Sequence, residues 1–383
     1  RHTRLQGDWS SDVCSSDLGY RTLVRAVDMQ TLALGGDVAV AVQRDGGLAL
    51  EKQRVVSLSL LTQRHPAVLA RMRAALAEYS GWLEATRYAL LPEGLSEATL
   101  PEDMDAGDRE FLTPLLDGQP VRYHDLVDGA LDRVRLSRLV GRGLIQLSGL
   151  TPSDAAHVLG HQSQWDGEGA LLGCELVGRW SSRLSGDATF CDPRVFAAAI
   201  HDQVVTDTAG VLLAKLAGGA ALTPGSVAAA VASGQTRIGD LEVALSPQVP
   251  VVAVGGPAGG FFRDVGERLG ADMSIPEYSG VANAVGAAAG LYHTRMVVEV
   301  SRCEKSGYVV HTLHGPESWD RGPTALARAR EYADAQARAR LQAMGGTDSH
   351  VEIEVERVDL PDVDESFSLV SARVTAEAVA RPT

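Results

Sequence analysis

Residues 249–260 read VPVVAVGGPAGG, an apolar, β-branched run that stops abruptly in glycines, and the helical pattern FFRDVGERLG follows at once. A run of this kind predicts a short buried parallel strand that delivers the chain into a tight turn and then into a helix. The junction therefore points to an α/β fold. It also points to a place where a ligand can reach the main chain. Glycines permit positive φ and leave no Cβ in the way, and the helix start behind them offers unpaired N–H groups and a partial positive charge. Gly255, Gly256 and Pro257 are thus candidates for holding a nucleotide's sugar, base or phosphate. The same residues can make a plain strand-to-helix turn, and adjacent glycines are not the spaced GxGxxG dinucleotide pattern.

A second glycine pair lies upstream. LALGGDVAVAVQRDGGLAL alternates apolar and polar residues around two glycine turns and predicts a hairpin. In Leu34-Gly35-Gly36-Asp37 the backbone amides of Gly35 and Gly36 could wrap a phosphate, with Asp37 holding magnesium directly or through water. An ordinary hairpin turn has the same composition.

Residues 65–90 predict a helix, with Val68, Leu69, Met72, Ala75, Leu76 and Tyr79 at three- and four-residue steps. Residues 91–120 are rich in Pro, Glu and Asp and predict a linker or surface loop. Residues 121–148 predict short helices ending in the strand-like LIQLS, so that about 65–150 forms a helical insert. Thr151-Pro152-Ser153-Asp154 then opens a helix, with a capping hydroxyl and a proline suited to the first turn. Residues 193–220 predict an apolar helix, and VANAVGAAAGLYH a helix of small residues. From about residue 295 the pattern is strand, strand, helix, strand, strand. It predicts an α+β module over 295–383: a four-stranded antiparallel sheet with the 322–344 helix on one face, through Leu326, Ala329, Ala333, Ala337, Leu341 and Met344. No repeat of 20–50 residues is visible.

Several function classes are disfavoured. The 383-residue chain carries a net charge of −14, which repels nucleic-acid phosphates and anionic membranes. Its 4 cysteines, at 14, 174, 191 and 303, have neither zinc-site nor CxxC spacing. No apolar run is long enough to span a membrane, and no secretory h-region is seen near the start, so a cytoplasmic protein is expected. His157 and His161 are four apart, a spacing that can bind metal, but Gly160 breaks the helix between them and no third ligand is evident, which favours a satisfied helical histidine. There is no GxSxG, HExxH or Walker-type motif. DLVDGALDRVRLSRLVGRGLIQLSG loosely resembles a winged-helix pattern through Arg133, Arg135, Arg138 and Arg142, although solvated arginines explain these as well. Residues 8–18, DWSSDVCSSDL, have no structural period and are similar to a translated sequencing-adapter oligonucleotide. Residues 1–18 are therefore expected to be an artefactual or disordered tail in which Trp9 and Cys14 do nothing.

Three segments, in order, resemble the hydantoinase/oxoprolinase family: GYRTLVRAVDMQTLALGGD, LTPSDAAHVLG and VVAVGGPAGGFFRDVGERLGADMSIPEYSGVANAVGAAAG. The last is similar to that family's GGPA…P…ANAxGAA signature and is the most specific. The resemblance runs from about residue 19 to the C-terminus. It implies an actin-like ATPase core of ribonuclease H-like type over 19–294, with a nucleotide held between two duplicated α/β lobes. By that resemblance Gly35 and Gly36 contact phosphate and Gly255, Gly256 and Pro257 line the adenosine side. The 283–290 helix, headed by Asn283, packs at the lobe interface. ATP and Mg2+ are the implied cofactors. The implied substrates are cyclic amides such as hydantoins, 5-oxoproline or lactams, or ketones in a carboxylase. The implied partner is a separate hydantoinase B-like subunit in an oligomer.

The chain departs from the family pattern in two ways. The DxGGT-type phosphate turns expected before Gly19 are absent from this sequence, so catalysis is not expected of it as written. Asp37 also stands where many relatives carry Gly or Ser, so the substrate does not carry over. The alternative reading is a non-catalytic, actin-like nucleotide-binding subunit with a regulatory or assembly role.

Overall fold

A computed structural model of the chain describes residues 34–78, 83–218, 223, 225–256, 258–303 and 306–382. The adapter-like segment, Tyr79 and Pro257 lie outside the described residues. The protein is a mixed α/β chain dividing into two units, Arg1–Gly280 and Val281–Thr383. The division falls ahead of the small-residue helix rather than after it, as the sequence pattern had indicated.

The first unit begins with strands β1 (Val38–Val42) and β2 (Leu48–Arg54), paired antiparallel. They turn at Asp45-Gly46-Gly47, where Gly46 adopts φ +85° and the Asp45 carboxylate accepts the Gly47 N–H at 2.9 Å. The hairpin thus closes at the second glycine pair of the alternating run. β3 (Val56–Ser57) leads into α1 (Leu58–Arg64) and α2 (Pro66–Glu78), whose Val68 and Met72 are buried. Next come β4 (Tyr88–Leu90), α3 (Ala106–Leu112), β5 (Val121–Arg122), α4 (Tyr123–Leu126), α5 (Ala130–Gly141), β6 (Gln146–Gly149) and α6 (Pro152–Val158). A four-stranded sheet runs β3-β6-β4-β5, in which β3 and β6 are parallel and the other pairs antiparallel.

Residues 91–120 are not a linker. Leu100, Met104, Phe111, Leu112 and Leu115 pack with Leu136, Leu139 and Ile145 into a core of their own. The prolines and acids break the periodicity without exposing the apolar residues between them. Buried Asp108 there takes Arg135 Nε at 3.3 Å and also Arg138. Two of the four arginines behind the winged-helix resemblance are therefore committed inside the unit.

A buried carboxylate joins the start of α1 to α6. Thr151 caps α6, and its hydroxyl and N–H donate to Asp154 Oδ2, each at 2.9 Å. The same carboxylate accepts Leu58 N–H at 3.1 Å, Ser59 N–H at 2.8 Å and the Ser59 hydroxyl at 2.6 Å. It is thus the cap that α1 lacks from its own Ser57. Two helix N-termini face one acid, which their partial positive charge favours. Burial nevertheless pushes the Asp154 carboxyl above its ordinary value, against those hydrogen bonds, and burial and Asp154 together push the neighbouring Cys174 thiol well up.

Around this knot Leu58, Leu61, Tyr88, Leu176, Phe196 and Ile200 form the main core. α7 (Gly167–Ser185) and α8 (Pro193–Leu216) supply its far wall, each capped by an aspartate, Asp166 and Asp192. The unit continues through α9 (Val227–Ala232), the short pair β7 (Arg237–Ile238) and β8 (Leu241–Glu242), then β9 (Val251–Val252), α10 (Ala258–Leu269) and β10 (Met273–Ser274). β9 does pair in parallel, with β10, but it is not buried: Val252 is 46% and Val254 54% exposed. With one strand neighbour among the described residues, the apolar run has no cover on its outer side.

The second unit holds α11 (Ala282–Ala289), none of whose residues is buried, contrary to the close packing implied for this helix. Strands β11 (Tyr292–Arg302), β12 (Tyr308–Thr312) and β13 (Gly315–Trp319), helix α12 (Gly322–Ala343) and strands β14 (Gly346–Asp359) and β15 (Leu369–Pro382) follow. The sheet has five strands, not four, in the antiparallel order β13-β12-β11-β15-β14. The additional strand, β13, turns back at Gly315, whose φ of +119° favours glycine. α12 buries Leu326, Ala329, Ala333, Ala337 and Leu341 against the sheet, together with Ala325 and Tyr332, whereas Met344, past the last turn, is 46% exposed.

Removing the Asp154 carboxylate should be costly, because it strands three backbone N–H groups and the Ser59 hydroxyl in the interior, while the Thr151 hydroxyl keeps Ser57 Oγ as an acceptor at 3.0 Å. Asp154→Ala is expected to lose on the order of 3–5 kcal/mol in urea unfolding, and Asp154→Asn clearly less because it keeps one acceptor. Equal losses would show that the carboxylate is not the tie. The raised pKa sets the sign of the pH effect: the linked stability is full below the unfolded-state value and declines as pH rises through the folded one. Asp154→Asn should remove that slope from a pH series of unfolding midpoints.

Candidate functional site

The Gly35–Gly36 turn lies against the first turn of α6. The Gly36 carbonyl accepts the Ser153 N–H at 2.9 Å, and a Cβ on Gly36 would fall 2.6 Å from Ser153 Oγ. This glycine is needed for close approach rather than for a special dihedral. The first-turn donors of α6 are already used: Pro152 has none, Ser153 N–H goes to Gly36 and Asp154 N–H to Thr151 Oγ1. A phosphate at this turn would have to be held by the amides of residues 35–37 themselves. Asp37, the magnesium candidate, takes Arg54 Nε at 2.6 Å and Nη2 at 2.5 Å on Oδ2, and its Oδ1 folds back over Gly35.

At its other end α6 stops in a Schellman motif. Gly160 adopts φ +79°, its N–H bonds the His157 carbonyl at 3.2 Å, and the His161 N–H reaches back to Ala156 at 2.9 Å. His157 is a closed structural residue: Nδ1 donates to the Ser153 carbonyl at 2.7 Å, Nε2 accepts the Trp165 N–H at 3.2 Å, and the ring stacks on Trp165. The two histidines, four apart in sequence, therefore part company at Gly160, and His161 turns toward α8.

There it meets a cluster that sequence reasoning missed. The His161 ring makes a T-shaped contact with His201 at 5.1 Å between centroids, and the His201 ring lies tilted against Phe261 at 5.1 Å. His201 Nε2 donates to Asp264 Oδ2 at 2.5 Å, joining α8 to α10, while its buried Nδ1 has no partner among the described residues. Arg268, one turn further along α10, ties back to α8 through Asp202 at 2.5 Å and Thr206 at 2.8 Å. The only sequence hint was one histidine in an apolar helix and one aspartate four residues after a glycine pair.

The second glycine turn enters beside this cluster. Gly255 adopts φ +113°, donates its N–H to Ser279 at 2.7 Å and accepts the Ala258 N–H at 3.1 Å. Gly256 has nothing within 4 Å of where its Cβ would be, and Gly260, in the first turn of α10, has Gln162 Nε2 at 3.9 Å. Gly36 at Ser153 and Gly260 at Gln162 thus flank opposite ends of one short helix, separated by on the order of 10 Å of chain rise. Asn283 is exposed on α11 in the second unit. A cavity of about 260 Å3 bounded by Glu51, Arg87, Tyr123 and Ser148 touches none of the predicted site residues.

No family model matches the chain, and neither a curated protein nor a solved structure matches it.

The two glycine turns should respond differently to a side chain. Gly36→Ala is expected to cost about 1–3 kcal/mol through its clash with Ser153 Oγ, with most of that recovered in the double variant Gly36→Ala, Ser153→Ala. Gly256→Ala should change stability by no more than about 0.5 kcal/mol. Thermal unfolding of the four proteins checks this, and a Gly36→Ala cost that the second substitution leaves untouched would refute the contact.

Proposed function

We propose that this chain is part of an ATP-dependent enzyme that opens cyclic amides of the hydantoin, 5-oxoproline or lactam type, or carboxylates ketones, built on an actin-like nucleotide-binding core. The observation that carries the reading is the Gly255–Gly256 turn at the start of α10. Gly255 needs its positive φ, while Gly256 satisfies no packing need: the space beyond its Cα is open. A bare main chain at a helix start, facing open space, suits the approach of a nucleotide. The resemblance to the hydantoinase/oxoprolinase family, from about residue 19 to the C-terminus, supplies the chemistry. ATP, when bound, would phosphorylate an unreactive carbonyl or enolate oxygen and make it a leaving group.

The open turn fits a nucleotide. Asp37 does not fit as a magnesium ligand in the same way, since Arg54 holds one of its oxygens and the other lies over Gly35. The chain's own contribution is therefore binding and orientation. The turns at 35–37 and 255–260 would present main-chain amides from the two ends of α6, with phosphate toward the first and adenosine toward the second. A second, hydantoinase B-like subunit and a cytoplasmic setting belong to the same proposal. No helix among the described residues is long and apolar enough to cross a membrane.

Calorimetric titration with ATP tests the nucleotide site. Gly256→Val should weaken binding at least about ten-fold, or 1.4 kcal/mol, while leaving the unfolding midpoint in place. Unchanged affinity would remove the site assignment. With DxGGT-type turns joined to this chain, ATP hydrolysis should rise on adding a cyclic amide or ketone. Turnover indifferent to every such compound would favour the non-catalytic regulatory or assembly subunit instead.

A further inference from the structure

Two histidines bracket Gly160, and they are used differently. His157 spends both ring nitrogens inside the fold. His161 is exposed, and its ring nitrogens have no hydrogen-bond partner among the described residues. It is nonetheless held in place from two directions. The Schellman motif fixes its backbone, with both His161 N–H and Gln162 N–H bonded to the Ala156 carbonyl at 2.9 and 3.2 Å. The His201 ring, anchored by Asp264 and backed by Phe261, holds the His161 ring in a T-shaped contact. A flat aromatic ring is thus held by a T-shaped contact with a neighbouring ring while the residue stays exposed, a costly arrangement for a residue that only decorates the surface. The neighbouring Gln162 carboxamide lies beside the α10 start, its Nε2 3.9 Å from where a Cβ on Gly260 would stand. Its one side-chain bond, from Gln164 Nε2 to its Oε1, is a long 3.4 Å, so both its donor and its acceptor remain usable.

We infer that His161 and Gln162 are the base-reading pair of the nucleotide site: the imidazole stacks on the purine, and the carboxamide reads its edge. A carboxamide offers one donor and one acceptor, which matches adenine, whose N6 amino group donates and whose N7 accepts. Guanine presents two acceptors, O6 and N7, at the same edge and leaves the Gln162 oxygen unpaired. The site is therefore selective for adenine. His201 and Asp264 are positioning residues that act through His161. The inference rests on the nucleotide reading given above and adds to it the residues that recognise the base.

Adenosine and guanosine are the probes, because a base-reading pair needs no phosphate. With the whole chain, calorimetry should show adenosine binding about ten-fold tighter than guanosine, and the His161 imidazole proton resonance should shift on adding adenosine. His161→Ala should weaken adenosine by about ten-fold, as stacking losses do, whereas His161→Phe, which keeps a flat ring, should retain most of the affinity. Gln162→Arg should move the preference toward guanosine, since a guanidinium donates to both O6 and N7. Far-ultraviolet dichroism confirms that each variant is folded. Adenosine affinity unmoved by His161→Ala, or a preference unmoved by Gln162→Arg, overturns the base-reading assignment, as does ATP binding without adenosine binding. None of these touches the nucleotide reading, which falls if neither ATP nor adenosine binds or if Gly256→Val leaves ATP affinity unchanged.

Discussion

The first unit is organised around one buried acid. Asp154 accepts hydrogen bonds from Leu58, Ser59 and Thr151, tying together segments 95 residues apart along the chain. Because the carboxylate serves as cap for α1 and closes the capping box of α6, it fixes where both helices start, and with them the parallel contact of β3 and β6. The remaining geometry follows from that placement. α6 begins where Gly36 can lie against Ser153, and it ends where His161 is delivered to His201. Helix–helix packing against α7 and α8 then supplies the bulk of the apolar burial, at about 1.5–3 kcal/mol for each fully enclosed large side chain. Such packing is non-directional. The hydrogen bonds to Asp154 select one register for it.

What could be read in the sequence follows the range of the interaction involved. The start of α6 at Thr151-Pro152-Ser153-Asp154 was legible because a capping box is local. That Asp154 also caps α1 was not, since nothing near Leu58 signals a donor pair waiting for a distant acid. The apolar face of α12 was legible from its three- and four-residue steps, but Met344 was misplaced because helical periodicity does not show where the helix stops. β13 was missed because Gly315 and Pro316 read as the end of a strand rather than a reversal into another. In residues 91–120 the composition was misleading: proline and acid content masked Phe111, Leu112 and Leu115, whose burial depends on α5.

The glycines illustrate the same limit. Gly36 and Gly256 are each the second of a glycine pair and looked alike as candidate ligand contacts. In the fold one is required by a neighbouring hydroxyl and the other by no contact among the described residues. A glycine that packing explains carries little information about ligands. The histidines divide likewise: His157 is explained by its two hydrogen bonds, and His161 is not.

The half-covered strand β9 has a consequence for the behaviour of the chain in solution. Parallel strands normally sit inside a sheet with both faces enclosed, yet here Val252 and Val254 face outward beside a row of backbone groups with no further strand among the described residues. Such an edge is a template for the same edge on another molecule, and it sits within an otherwise strongly acidic chain. Charge repulsion weakens as salt is added, whereas pairing of apolar edges does not. Self-association should therefore grow with ionic strength and concentrate at this strand. A single lysine in place of Val252 would act as a gatekeeper, keeping the chain monodisperse in high-salt buffers without touching either glycine turn.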